Sequence, residues 1–75
     1  MKQHTFPLDR EYVELHNLLK LLALASSGGE AKAMIGDGRV TVDGEIELRK
    51  TRKLRGGEVV RFGNDEVRVG VKLRR

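Results

Sequence analysis

Apolar positions recur with two different periods along the chain, and the change falls near its middle. Leu15, Leu18, Leu19 and Leu22 keep i, i+3, i+4, i+7 spacing, which draws one apolar stripe on a helix over about 15–22. His16, Asn17 and Lys20 fall on the other side, while Leu21 and Leu24 widen the stripe and predict a helix covered by neighbours. The chain then breaks at Ser26-Ser27-Gly28-Gly29. Ser27 and Glu30 stand three apart as a capping box, in which the hydroxyl accepts from one exposed N–H and the carboxylate returns a bond. Ala31, Met34 and Ile35 supply the buried side of this second helix. Gly38 is its left-handed stop, so the helix is expected over about 28–37.

From Arg39 the period drops to two. Val40 and Val42 face one way, Arg39 and Thr41 the other. Asp43-Gly44 reads as a two-residue hairpin turn with positive φ at both central positions. The return strand carries Ile46 and Leu48 on one face, and Gly56-Gly57 turns the chain into a strand over 59–62. Gly63-Asn64-Asp65 makes a third turn, and Val67, Val69, Val71 and Leu73 then alternate with Arg68 and Lys72 in a last strand. Ahead of the helices, Gln3 to Leu8 is an extended lead-in that Pro7 limits to an edge strand or a loop. The predicted fold class is α+β: two short helices packed on a small antiparallel β-sheet of about four strands. A length of 75 residues allows one domain, residues 1–75.

Composition narrows the setting. Cysteine is absent, which removes disulfides and thiolate metal sites and fits a reducing cytosol. The first residues, Met-Lys-Gln-His-Thr, form no apolar signal segment. The greasiest stretch, Leu15 to Ala25, is interrupted by His16, Asn17 and Lys20 and falls short of the ~20 apolar residues that span a bilayer. A soluble cytoplasmic protein without a membrane partner is expected. The formal charge of +4 is unevenly placed: residues 1–38 carry −1 and residues 39–75 carry +5. Such asymmetry points to an anionic partner.

Five of the seven residues from Arg49 to Arg55 are basic, namely Arg49, Lys50, Arg52, Lys53 and Arg55. Exposed Lys and Arg most often serve solubility, but Leu48 before this run and Leu54 within it are expected to anchor it to the core. A fold-anchored run presents charge at fixed spacing to a polyanion, and phosphate contacts give affinity without sequence choice. The Gly28-Gly29 amides at a helix start could hold a further phosphate oxygen, with Lys32 one turn along; most capped helix starts bind only water. Among the aromatics, Phe62 sits in an apolar strand and is expected in the core, and three aromatics (Phe6, Tyr12, Phe62) argue against a stacking platform for single strands. Catalysis finds no support. His4 and His16 are not spaced as a metal pair, Ser26 and Ser27 have a capping role, and the carboxylates are scattered among strands and helix ends and mostly read as solvated. Neither an enzyme nor a cofactor is expected.

The stretch Ser27-Gly-Gly-Glu-Ala-Lys-Ala-Met-Ile-Gly-Asp-Gly-Arg-Val-Thr-Val-Asp-Gly44, with Gly57-Glu-Val-Val60 later, resembles the RNA-binding domain named after the fourth ribosomal protein of the small subunit. The resemblance to this αL-motif module covers about 15–62. The Arg-Lys-x-Arg-Lys-Leu run and the Leu-Leu-Lys of the first helix look like its small stand-alone bacterial members. It implies RNA lying across the second helix start, at Ser27, Gly28, Gly29 and Lys32, and along the hairpin side, at Arg39 and Thr41, with the basic run facing it. Lys20 is an additional candidate. Where the family often has Arg after the capping Ser, this chain has Gly28, so that contact is absent or transferred to Arg52 or Lys53. The expected function is therefore binding of structured RNA, ribosomal or transfer, by a monomer that acts with or without the ribosome. Replacing Arg52 and Lys53 together by Glu is expected to abolish binding and leave the melt unchanged. The rival reading is an adaptor whose basic hairpin docks an acidic protein. A membrane-surface role is weaker, because no amphipathic helix with exposed bulky residues adjoins the run.

Overall fold

A computed structural model describes residues 2–71, and Lys72 and Leu73 lie outside the described residues. The chain opens with β1 (Lys2–Phe6) and β2 (Val13–Glu14), continues through α1 (Leu15–Leu21) and α2 (Gly28–Gly36), and then runs β3 (Val40–Val42), β4 (Glu45–Ile46), β5 (Lys53–Leu54), β6 (Val59–Phe62) and β7 (Asp65–Val69). The α+β class holds. The main sheet has five strands in the order β1-β7-β6-β3-β4, and β2 and β5 form a separate ribbon.

Local chemistry sets the element ends where the sequence predicts. Ser27 Oγ accepts from the Glu30 N–H at 3.1 Å, and the Glu30 carboxylate accepts from the Ser26 N–H at 2.6 Å, one residue earlier than in the standard box. Ser26, through its backbone N–H first and its side chain second, holds the Glu30 carboxyl below the usual range. Gly38, at φ 76°, closes α2 as its N–H reaches the Ile35 carbonyl and that of Arg39 reaches Met34. α1 ends in the same motif without glycine: Ala23 takes φ 60°, its N–H bonds the Lys20 carbonyl and that of Leu24 bonds Leu19. Asp43 and Gly44, at φ 53° and 87°, make the expected type I′ turn. The last turn is shorter than expected: Gly63-Asn64 suffices, and Asp65 already pairs with Phe62.

The sheet departs from the antiparallel expectation at one edge. β1 lies parallel to β7, with His4 opposite Val67, and stops before Pro7, which has no N–H to continue a ladder. The Gly70 N–H bonds the Phe6 carbonyl at 2.8 Å, and a β-carbon at Gly70 would come within 3.3 Å of Pro7. α1 and α2 cover one face of the sheet. Leu15, Leu18 and Leu19 of α1 and Ala31, Met34 and Ile35 of α2 share one core with Val40, Val42, Val60, Val67, Val69 and Leu54, each large side chain contributing roughly 1.5–3 kcal/mol on burial. Four positions expected on apolar faces lie outside it: Leu21 is 56 % exposed, Ile46 64 %, Leu48 59 % and Val71 69 %, the last because β7 stops at Val69. α1 is seven residues long, so its stripe closes at Leu19 and Leu22, and Leu21 falls on the water side. β4 ends after Ile46, so Leu48 has no strand to carry it back to the core.

Candidate nucleic-acid interface

The basic segment is folded around a buried carboxylate. Glu47 continues the pairing of β4, its N–H bonding the Val40 carbonyl at 3.0 Å, and its side chain is 9 % exposed. It accepts from Arg49 through Nε (3.0 Å), Nη2 (3.1 Å) and the backbone N–H (3.0 Å), and from Arg52 Nη1 at 2.8 Å. These bonds, the Arg49 side chain first, outweigh burial and draw the Glu47 carboxyl down to about 2; the same contact raises the Arg49 guanidinium. A second acid, Glu66, is buried between Arg61 and Gln3. These two are the exceptions to a mostly solvated set of carboxylates, because each sits under arginines that replace its water.

The backbone of the same segment caps α1. Glu14, the N-cap, offers no side-chain bond; instead the Leu15 and His16 N–H groups bond the Arg52 and Lys50 carbonyls at 2.9 and 3.1 Å. The His16 ring adds Nδ1 at 3.0 Å from the Lys50 carbonyl. A carbonyl only accepts, so Nδ1 carries the proton there. Leu54 is fully buried and anchors the segment as expected, paired with Val13 across the β2–β5 ribbon. Leu48 does not share that role. Arg49, Thr51, Arg52 and Lys53 line an open concavity of about 510 Å³, which presents three cations and no acid.

The predicted contacts separate into two groups. Lys50 reaches the C-terminal end of α2, where a β-carbon at Gly36 would lie 3.7 Å from its Nζ, a place the helix dipole favours for a cation. Lys53 and Arg55 both lie over the Tyr12 ring, at 5.3 and 5.6 Å from its centroid. Ser27, Gly28 and Gly29 stand at the opposite end of α2, with Gly28 eight residues from Gly36 and hence ~12 Å away along the axis, while Lys32 stands midway along the helix. Gly28 has open space around it, and the Glu30 carboxylate already serves the free N–H of Ser26. Arg39 lies over the Phe62 ring at 5.1 Å, Thr41 is half-buried in β3, and Lys20 is exposed in the last turn of α1. Sequence reasoning missed Glu47 and Tyr12. Nothing in their spacing flags them, since an irregular loop and a two-residue ribbon bring them into place.

A family profile described as "S4 domain" matches residues 6–70. The chain is 44 % identical over 66 residues to "Putative RNA-binding protein YbcJ" of Escherichia coli (strain K12), covering 87 % of this chain and 94 % of that protein. It is 38 % identical over 63 residues to "Probable ribosome maturation protein RlbA" of Bacillus subtilis (strain 168), covering 80 % and 89 %. The solution structure of E. coli YbcJ, described as revealing an "alfaL motif involved in RNA-binding", superposes with a TM-score of 0.71 at 40 % identity over 95 % of this chain and 91 % of that one.

Proposed function

The chain belongs to the S4 domain family, and from that premise we propose that it binds structured RNA, ribosomal RNA foremost, through phosphate contacts from the segment 49–55. One observation carries the reading: the cations of that segment are held on a folded frame by Glu47, the α1 N-terminus and Leu54. A frame of this kind places charge at set distances, which recognises the shape of a phosphate array rather than a base sequence. The ribosomal setting is supported by the maturation role in the name of the B. subtilis relative. Binding alone, with no chemical step, accounts for the arrangement.

Arg52 is the wrong residue for a clean test, because Glu in its place would face the buried Glu47 carboxylate and loosen the loop. Lys50 and Lys53 point away from that carboxylate's bonds. Replacing both with Gln is expected to weaken binding of the host's ribosomal RNA about tenfold or more and to reduce the slope of log affinity against log salt by roughly 1.4–1.8. The circular-dichroism melt should fall by only a few degrees, as the helix-end and Tyr12 contacts of the two lysines are lost. Unchanged affinity and slope would end this reading. The adaptor reading keeps one observation of its own, since Ile46 and Leu48 are 64 % and 59 % exposed beside the basic segment. It requires a protein complex recovered from the host that survives nuclease treatment.

A further inference from the structure

Tyr12 is 36 % exposed, whereas Phe6 and Phe62 are packed against the core. Its position follows from the ribbon. Val13 pairs with Leu54 and Glu14 with Lys53, so one more step of antiparallel register sets Tyr12 opposite Arg55. Val13 and Leu54 are buried; alternation then leaves Tyr12, Glu14, Lys53 and Arg55 on the outer face. Both cations lie within cation–π range of the ring.

The same ring walls a second concavity of about 400 Å³, lined by Arg10, Glu11, Tyr12, Val13, Glu14 and Asn17. That size is at the lower end of small-ligand sites, roughly 300–1,000 Å³. Its charge differs from that of the basic concavity. With two acids to one cation it disfavours a phosphate, while Lys53 and Arg55 beside it attract one. It offers an aromatic face, an amide on Asn17 that both donates and accepts, and a Glu14 carboxylate that accepts from an amino group. Those are the contacts that a flat, uncharged ring with a polar edge requires.

We propose that this pocket takes one unpaired nucleobase of the bound RNA, stacked on the Tyr12 ring, while Lys53 and Arg55 hold the phosphates that flank it. The proposal rests on the RNA-binding reading and adds a base-sized site to a surface otherwise read as phosphate contacts alone. It also narrows the expectation against a stacking platform: one exposed ring cannot make a platform for a strand, but it suffices for one base.

The chain holds a single Tyr and no Trp, so its intrinsic emission reports on this ring alone. The test uses a fully paired RNA duplex and the same duplex with one bulged adenosine, each dye-labelled for anisotropy. Wild type should bind the bulged RNA roughly fivefold to a hundredfold more tightly, and saturation with it should quench the tyrosine more than the paired RNA does. Tyr12→Ala should bind both RNAs with the affinity wild type has for the paired one, and Tyr12→Phe should keep the preference. Equal wild-type affinities, or a preference that survives in Tyr12→Ala, would overturn the base site and leave RNA binding standing. No binding of either RNA at low salt would overturn both.

Discussion

Glu47 holds the basic segment in shape, and it does so at the cost of cancelling part of its charge. Together with Arg49 and Arg52 it forms a group of net +1, in which Arg49 still projects with 73 % of its side chain exposed and Arg52 with 30 %. The carboxyl sits at about 2 when folded against an ordinary 4.5. Its folded value is depressed, so its stabilisation is complete above about 4.5 and is lost as pH falls toward about 2. Glu47→Gln should lower stability at pH 7 on the order of 2 kcal/mol, allowing for solvent screening at Arg49, and should flatten the acid limb of stability against pH in that window. Denaturant melts at several pH values check both, and an unchanged acid limb would show the contact to be idle. None of this was legible in the sequence. Glu47 stands two and five residues from its arginines, and no single helix or strand turns both spacings into contacts; only the irregular path of the loop does.

Elements whose ends are set by short-range chemistry were legible, and those made by distant pairing were not. The Ser27 cap, the Gly38 stop and the Asp43-Gly44 turn each depend on a few neighbouring residues and appear where they were expected. The β2–β5 ribbon joins two-residue strands some forty positions apart, and no local pattern announces it. Its absence from the sequence reading is what hid the setting of Tyr12. Similarly, the end of α1 was legible only as a fading stripe, because Ala23 occupies the left-handed position that usually goes to glycine. That residue pays a steric penalty of ~1–2 kcal/mol. Ala23→Gly should therefore raise stability by roughly 0.5–1 kcal/mol after the extra entropy of glycine is set against it. A thermal melt decides it, and a lower melting temperature would mean the penalty has been relieved in some other way.

Across the molecule the predicted RNA contacts spread along α2, from the Ser27–Gly29 start through Lys32 at mid-helix to Lys50 near Gly36. The resemblance implies one RNA across the second helix start and the basic run, and Lys50 lies at the far end of that helix from Gly28. A structured RNA broad enough to cover both would feel a new charge at Gly28, where a side chain meets no obstacle. Gly28→Arg should then steepen the slope of log affinity against log salt by about 0.7–0.9, one phosphate's worth. An unchanged slope would confine the RNA to the segment 49–55 and its surroundings. The outermost pairing of the sheet has a different kind of consequence. β1 and β7 are joined across 63 positions of sequence, so β1 has to wait for β7 to be made. Contacts that distant slow folding, and the sheet closes late in synthesis, after the basic segment has already emerged. During synthesis the basic segment, framed by Glu47 and the start of α1, is thus complete while β1 still lacks its partner.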